Sequence, residues 1–522
     1  MIEPNSSKLV GEVRSILVLL CVSVPAFMIG IDSNIVAVSL PSIAHSLRAD
    51  FSAIEWVISA YTLTFASLVL PAGALADRYG RKQMLVLGLT VFSLASSLCG
   101  ATPNLLVLNA ARALQGVGAA LQLSAALAIL SHQFHGPIRA RAFAFWGSVV
   151  GIAITLGPVA GGFITEQFGW QWAFYINIPV GAAMIALTIF SVEESRDPDV
   201  RRIDFLGALA FSSALFLVTL ALIEGNHEGW SSRAIRLEFV SALALFLLFA
   251  VAENSQERPM LDLTIFRNPT YLGANIAGLA FAACLLTMLT YLPIYFQNGL
   301  QQTPLAAGFL MLPMVVPLFV VPRIVVAHLS HRVSSRVLLA FGLAVASGGL
   351  FWMGIEVPRF HYSTMLGGML VTGLGAGMLN GEVVKVGMSV VPPERAGMAS
   401  GISGTVRFSG IAVGFAVLGA ILFARISSTV MTGLPNASAS ERIGLIRDIA
   451  VGNLSGGISG AVPRAVLKAL AMHSFADGYR AILLAAAAFA ALSAVLSWLL
   501  IRSTEPLAGS CSKARQRFRP PA

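Results

Sequence analysis

Apolar segments of about 20 residues recur along the whole chain, each followed by a short polar stretch. A helix of that length crosses a hydrocarbon core roughly 30 Å thick. Because a bilayer offers no water to unpaired backbone groups, we expect these segments to be helices. Long uninterrupted apolar runs also argue against a membrane β-barrel, whose strands alternate. The pattern predicts fourteen spans, near residues 15–39, 54–76, 83–102, 105–130, 140–165, 171–192, 204–223, 235–252, 271–297, 304–327, 336–356, 362–385, 402–425 and 479–502.

Composition agrees with the pattern. Of the 522 residues, 56% are hydrophobic and 11% are charged, and the mean hydropathy is +0.80. A soluble domain carries about 25% charged residues. The sequence therefore predicts an all-α polytopic membrane protein. The four cysteines form no close pair in the sequence, so neither a metal site nor a disulfide framework is expected.

The net charge of +9 is that of many nucleic-acid-binding proteins, but its distribution argues against such a partner. Most basic residues fall in alternate short loops and in a terminal cluster, near 78–82, 139–141, 196–202, 332–336 and 513–519. This is the positive-inside pattern, which places both termini in the cytoplasm. We call the end of the bundle that holds these loops the predicted inner end, and the opposite end the predicted outer end.

The spans divide the chain into two related halves with an insert between them. The loops 73–82 and 327–336 both face inward and share a few residues, and repeated halves are common in transporters. The expected parts are a cytoplasmic N-terminus (1–14), a six-helix half (15–192), two inserted transmembrane helices with their loops (193–260), a second six-helix half (261–502) that includes a long extracytoplasmic loop (426–478), and a basic cytoplasmic tail (503–522). Within that loop, Ser438 and Glu441 have capping-box spacing, and 463–475 could form a second short helix.

Charged residues inside the spans mark the candidate mechanism, because such residues are costly and normally face a cavity or a partner. Counting the helical rise, Asp32 and Arg112 both lie about 10 Å below the predicted outer edge and could pair directly or through water. Asp32 is then either part of a structural ion pair or a coupling carboxylate for which a proton and a cationic substrate compete. Glu382 and Arg323 lie near inner ends of their spans, as an interfacial pair, a second acidic site or an inner gate.

The loop 73–82 is short and rich in charge. Gly73 allows close helix approach and Gly80 a tight turn, while Asp77, Arg78 and Arg81 can lock helix ends together at the inner surface. The alternative is that the charged residues only anchor this loop on the cytoplasmic side, as the positive-inside rule describes.

The fifth span contains two pairs of glycines spaced four apart, Gly147 with Gly151 and Gly157 with Gly161. Such faces let helices meet backbone to backbone, and Pro158, which precedes Gly161 and Gly162, permits a bend. The alternative to a role in transport is that these residues serve helix packing alone.

Aromatic and methionine side chains occur in several central spans. Aromatic rings attract organic cations, and methionine adapts to varied shapes. Beside Asp32 they would suit a broad hydrophobic cation pocket, although contact with lipid or with the core would also explain each one. The candidates are Trp56, Tyr61, Trp146, Tyr291, Tyr295 and Met311.

Several motifs occur in the order known from one transporter family. The loop "GALADRYGRK" (73–82) resembles the loop signature of the major facilitator superfamily. "LNAARALQGVGAA" (108–120) and "GSVVGIAITLGPVAGG" (147–162) resemble motifs of its drug:proton antiporters. "IDSNIVAVSLP" (31–41) and "WQWAFYINIPVG" (170–181) are similar to its fourteen-span branch, often called EmrB/QacA-type. Gln171 stands where that branch usually has Arg, and the second inner loop lacks the family's Asp.

The resemblance implies a major facilitator fold with two six-helix halves plus two inserted helices. It implies proton-coupled efflux of diverse lipophilic, cationic drugs (quaternary ammonium compounds, dyes, antiseptics) by alternating access, with Asp32, Arg112 and Glu382 in proton and substrate coupling. The expected location is the bacterial cytoplasmic (inner) membrane, as a monomer without a cofactor, driven by the proton gradient. The alternative is an exporter of the same fold for one specific metabolite. An enzyme is not expected, since His132 and His135 have no partner set in the sequence.

Overall fold

The computed structural model describes residues 4–48, 51–196, 205–255, 263–329, 332–391, 396–435, 437–452, 454 and 464–502. Nearly all of this part is helical, and it contains no strand. The first half comprises α1 (Pro4–Leu47), α2 (Phe51–Tyr79), α3 (Arg81–Gly100), α4 (Leu105–Gln133), α5 (Gly136–Phe168), α6 (Trp172–Tyr175) and α7 (Asn177–Ser191). The inserted pair is α8 (Phe205–Glu228) and α9 (Arg233–Asn254).

The second half has more interrupted helices. It comprises α10 (Pro269–Ala280), α11 (Thr287–Ile294), α12 (Pro304–Leu310), α13 (Leu312–Ile324), α14 (Ser335–Glu356), α15 (Tyr362–Leu379), α16 (Glu382–Ser389), α17 (Ala396–Gly433), α18 (Ala439–Val451) and α19 (Arg464–Leu500). A π-helical turn, Phe281–Leu286, joins α10 to α11, so that Pro269–Gly299 forms one span.

Two further spans are bent. The helix α2 bends by 53° where Val69 is followed by Leu70 and Pro71, since proline removes a helical hydrogen bond. The pair α12 and α13 meets at an angle of 43° around Met311. By length and composition, eleven described helices could cross a membrane, or thirteen spans if each bent pair counts as one. The helix α15 lies outside this count, and glycine occupies five of its 18 positions.

The segment 426–478, predicted to be an extracytoplasmic loop containing short helices, is mostly helical where the structure describes it. The helix α17 continues to Gly433, and α19 already begins at Arg464, which absorbs the short helix expected at 463–475. Alanine-rich sequence without proline lets α19 run through all of its 37 residues, or about 55 Å.

The capping box is confirmed. Ser438 caps α18 by accepting from the Glu441 amide, and Glu441 accepts from the Ser438 amide. These hydrogen bonds lower the pKa of the exposed Glu441 carboxyl.

The halves meet along two seams. On one side α2 packs against α17, and α8 packs against both, so the inserted pair covers this seam. On the other side α5 packs against α12 and α13 of the second half. A mainly apolar cavity of about 340 Å³ lies between the inserted pair and the helices α10 and α17.

Candidate functional site

The embedded charge pair lies at the centre of a buried polar network in the first half. Arg112 Nη1 donates to Asp32 Oδ2 over 2.8 Å, and both side chains are 0% exposed. Gln115 Nε2 and Asn177 Nδ2 each donate to Asp32 Oδ1 over 2.9 Å. Three donors from two helices therefore converge on one carboxylate. The expected pairing of Asp32 with Arg112 is confirmed as a direct contact.

A second layer fixes the orientation of these donors. The hydroxyl of Ser96 on α3 lies 2.8 Å from Gln115 Nε2 and 3.3 Å from Asn177 Nδ2, and accepts from both. Arg112 Nη1 also donates to Gln115 Oε1 over 2.6 Å. Because each member is held by two others, displacing Arg112 from Asp32 requires the network of α1, α3, α4 and α7 to rearrange.

Close packing of α4 against α2 positions the guanidinium. A Cβ at Gly116 would collide with Thr64 and the Tyr61 carbonyl, so glycine is needed for this approach. Arg112 Nε then donates to the Val57 carbonyl over 2.9 Å, and the guanidinium lies 4.2 Å from the centroid of the Tyr61 ring. Tyr61 thus holds a protein cation in this state and does not offer its face to a substrate.

The glycines of α5 differ sharply in what they contact. A Cβ at Gly157 would collide with Asn34 of α1, and one at Gly161 would lie 2.8 Å from the Ile35 Cα. Gly162 approaches the backbone of α12 in the other half, where an added Cβ would lie 2.7 Å from the Leu305 Cα.

The neighbouring positions complete this contact face. The Pro158 carbonyl lies against Gly308 of α12, and Gly151 faces the Phe319 ring of α13. Gly147 has nothing within 4 Å of an added Cβ, so the expected close contact there is wrong.

Hydrogen bonds close the predicted outer end. Gln297 Nε2 in the second half donates to the Val38 carbonyl of α1 over 2.7 Å, and the Leu305 amide donates to Glu166 of α5 over 3.1 Å. Together with the Gly162 contact, these bonds hold the two halves shut at this end.

The short inner loop is held by a residue that the sequence did not single out. Asp77 pairs with Arg81 over 2.8 Å, within the loop itself. Glu194, which follows α7, accepts from the amides of Lys82 (3.1 Å) and Gln83 (3.2 Å) at the start of α3. A carboxylate at a helix N-terminus is electrostatically favoured.

Gly80 is required by this clamp. Its φ is +124°, and a Cβ there would lie 2.6 Å from the Glu194 carboxyl. Arg78 lies over the ring of Tyr79. The expected close helix approach at Gly73 is wrong, since nothing lies within 4 Å of an added Cβ.

Glu382 and Arg323 are not brought together in the described structure. Glu382 is the first residue of α16 and binds Lys385 over 2.9 Å. Arg323 donates to the Phe319 carbonyl of its own helix and lies over the Phe319 ring. The expected pair is therefore replaced by two local contacts, and a coupling role for Glu382 stays a prediction.

The six predicted pocket residues are dispersed, and none lines the cavity of about 340 Å³. Trp56 packs towards α8, 6.1 Å from the Phe216 ring, and Trp146 is half-buried against the core of the first half. Tyr291, Tyr295 and Met311 are buried in the core of the second half. Their role in substrate binding stays a prediction.

Four functional candidates escaped the sequence reasoning. Ser96, Asn177 and Glu194 became visible only through their partners in space. Glu55, at the start of the second span, is a carboxyl that is only 2% exposed. A charge this close to an apolar run was the available signal, but its position at a span boundary made it look like a surface residue.

Comparison with known proteins agrees with this fold. The model of the Major Facilitator Superfamily matches residues 22–415. The chain belongs to this superfamily. It is a multi-pass membrane transporter rather than an enzyme.

Relatives and solved structures extend the match over nearly the whole chain. The chain is 34% identical over 494 residues to the Multidrug resistance protein Stp of Mycobacterium tuberculosis (strain ATCC 25618 / H37Rv), covering 92% of this chain and 91% of that protein. It is 32% identical over 431 residues to the Drug efflux pump JefA of the same strain, covering 82% and 84%. The structure of a bacterial homolog to the human lysosomal transporter Spinster, inward-facing and unoccupied, aligns with a TM-score of 0.63 at 15% identity, over 94% of this chain and 99% of that one. At this identity the likeness shows the fold.

Proposed function

We propose that the protein exports lipophilic, cationic drugs in exchange for protons across a bacterial cytoplasmic membrane. The observation that carries this proposal is the buried Asp32–Arg112 pair, a membrane-embedded carboxylate whose counter-ion sits in the same half. Two relatives covering most of the chain are named as multidrug or drug efflux proteins, which supports drugs as the cargo.

The proposed topology has fourteen spans with both termini in the cytoplasm. It counts α2 as one span, α12 with α13 as another, and the glycine-rich α15 as the fourteenth. Six spans then form each half, and α8 and α9 form the insert. We propose that the protein acts as a monomer, with the proton gradient as its energy source.

The proposed cycle begins from the closed outer end described above. A cationic drug enters from the cytoplasmic side and loosens the bond between Arg112 and Asp32, and the carrier rocks outward. A proton from outside then neutralises Asp32, which removes the attraction for the cation. The drug leaves, and the neutral carrier returns. Arg112, held by Gln115 and Val57, is the group that re-forms the ion pair when the proton departs.

Efflux by energised inverted vesicles tests this proposal. Uptake of a fluorescent lipophilic cation into the vesicles is compared for wild type, Asp32→Asn and the control Asp448→Asn, whose carboxyl lies on α18. We expect wild type and the control to pump, a protonophore to stop both, and Asp32→Asn to be present in the membrane but inactive. An Asp32→Asn variant that pumps like wild type would make Asp32 structural and leave Glu382 as the acid to test.

A second candidate is an exporter of the same fold for one specific metabolite. The chain is 33% identical over 398 residues to a relative named Methylenomycin A resistance protein, from Streptomyces coelicolor (strain ATCC BAA-471 / A3(2) / M145), covering 76% of this chain and 83% of that protein. A panel of chemically unrelated cations separates the two. Transport of several members supports the multidrug proposal, and transport of none, with proton release on adding a single compound, supports the specific exporter.

A further inference from the structure

Glu55 is a buried acid that lies outside the Asp32 network. It lies in the first turns of α2 and is 2% exposed. Its Oε1 accepts no hydrogen bond from any residue that the structure describes. A carboxyl in such a position is expensive unless it is neutral or paired, which makes it a candidate functional site.

The carboxyl lies across the seam between the two halves. Glu55 belongs to the first half, whereas the groups around its carboxyl, Tyr291 of α11 and Gly419 of α17, belong to the second. A Cβ at position 419 would collide with Glu55 Oε1 and lie 2.9 Å from the Tyr291 hydroxyl. Glycine at this position therefore leaves the space that the carboxyl occupies.

The hydrogen bond of the Tyr291 hydroxyl favours one form of the acid. It donates its single hydrogen to the Phe415 carbonyl over 2.8 Å, and the two rings stack with centroids 4.8 Å apart. Only lone pairs of this hydroxyl remain for Glu55. A carboxylate has no hydrogen to offer them, whereas a protonated carboxyl can donate one. With the hydroxyl hydrogen on the Phe415 carbonyl, the closed seam accommodates the neutral acid.

We propose that Glu55 is a second proton-binding site, which holds the α2–α17 seam closed when protonated and releases it when the proton leaves. This deepens the proposed proton coupling and rests on it. The two acids differ in their partners: Asp32 is bound by cation and amide donors of its own half, while the partner of Glu55 is a tyrosine of the other half. Loss of a proton at Glu55 thus acts directly on the contact between halves.

No charged neighbour offers Glu55 an alternative partner within the described part of the chain. Among the side chains that the structure describes, the charged residues and histidines on helices packed against α2 are Arg14, Asp32 and His45 of α1, Arg81 and Lys82 of α3, Arg112 and His132 of α4, Glu224 and Glu228 of α8, Arg407 and Arg425 of α17, and Glu441, Arg442, Arg447 and Asp448 of α18. The ion pairs found among them do not include Glu55. The titratable group that faces its carboxyl is Tyr291. The centroid of the Tyr479 ring lies 6.5 Å from that of the Tyr291 ring.

The test measures the width of the seam as a function of pH. Spin labels are placed on Ala101→Cys and Ser428→Cys, two exposed positions at the predicted outer end of opposite halves, in a chain with Cys511→Ser. The purified full-length protein is titrated in lipid nanodiscs, without substrate and without a proton gradient. The result is therefore independent of whether protons drive efflux.

Wild type should show a longer distance population that grows from acidic to alkaline pH. Glu55→Gln, whose amide can donate to Tyr291 at every pH, should keep the short distance throughout. Glu253→Gln is the matched control, since Glu253 is also 2% exposed but lies on α9. It should titrate like wild type. Opening of Glu55→Gln with the wild-type profile, or a wild-type seam that does not respond to pH, would overturn the proposal.

A second variant keeps the proposal testable if Glu55→Gln does not fold. Tyr291→Phe retains the ring stacked on Phe415 but removes the oxygen that accepts from the neutral acid. We expect its seam to open at a lower pH than that of wild type. An unchanged midpoint would contradict the assigned role of the hydroxyl.

Discussion

Replacing Gly162 by alanine should force α5 away from α12 and destabilise the closed outer end. The added Cβ would lie 2.7 Å from the Leu305 Cα and closer still to the Pro304 carbonyl, whereas ordinary contacts begin at 3.4 Å. The backbones must therefore separate by at least 0.7 Å, the shortfall at the Leu305 Cα alone. Overpacking of this kind costs roughly 1–3 kcal/mol. Because the cost falls only on the closed state, the ratio of open to closed molecules should rise roughly 5- to 150-fold.

The control for this substitution lies on the same helix. Gly147→Ala makes the same chemical change in α5, but nothing lies within 4 Å of its added Cβ. Both variants gain about 1 kcal/mol of helix propensity. That gain applies to open and closed states alike, so any difference between the two variants reports the contact with α12.

Spin labels on Gln167→Cys and Gln302→Cys, exposed positions next to this seam, measure the populations. Cys21, Cys99 and Cys284 are at most 2% exposed, so only Cys511 needs to be replaced. Gly162→Ala should show a larger long-distance population and slower efflux, and Gly147→Ala should match wild type. The reasoning is refuted if the distance distributions of both variants superimpose on that of wild type.

Three further outcomes are expected. Gly80→Ala should lower the melting temperature and slow transport, because its backbone conformation costs an L-residue roughly 1–3 kcal/mol and its Cβ expels the Glu194 carboxyl. In a double-mutant cycle, adding Glu194→Ala should then cost little more, and additive losses would argue against the clamp. The Asp77→Asn variant should insert normally but transport more slowly. It breaks the partly exposed Asp77–Arg81 ion pair, which contributes little to the free energy of unfolding. Normal turnover would show that the pair is only an anchor. If α15 is a span, a periplasmic reporter enzyme fused after residue 360 should be active and one fused after 391 inactive, and equal activity would remove α15 from the topology.

The local pattern of apolar and polar residues was sufficient to predict most of the helical architecture. Apolar runs of membrane length predicted nearly all of the long helices, because a segment surrounded by lipid must satisfy its backbone within itself. The capping box at Ser438 and the common level of Asp32 and Arg112 in the bundle were also readable, since both follow from fixed helical spacing. The ends of the last two long helices were not readable in the same way, because polar residues end a membrane span in the sequence but do not end a helix.

Tertiary structure decided which of these residues work together. Asn177 and Ser96 lie around Asp32 because α3 packs against α4 and α7 packs against α1 and α3, a neighbourhood that no spacing encodes. Gly162 and Gly147 look alike in the sequence, yet only one meets the other half. Glu55 lies at the contact between the two halves because Gly419 leaves room for its carboxyl. Beside it, the Tyr291 hydroxyl donates to the Phe415 carbonyl. Hydropathy determines where a chain crosses the membrane, whereas the partners of each buried polar atom are set by helices that meet only after folding.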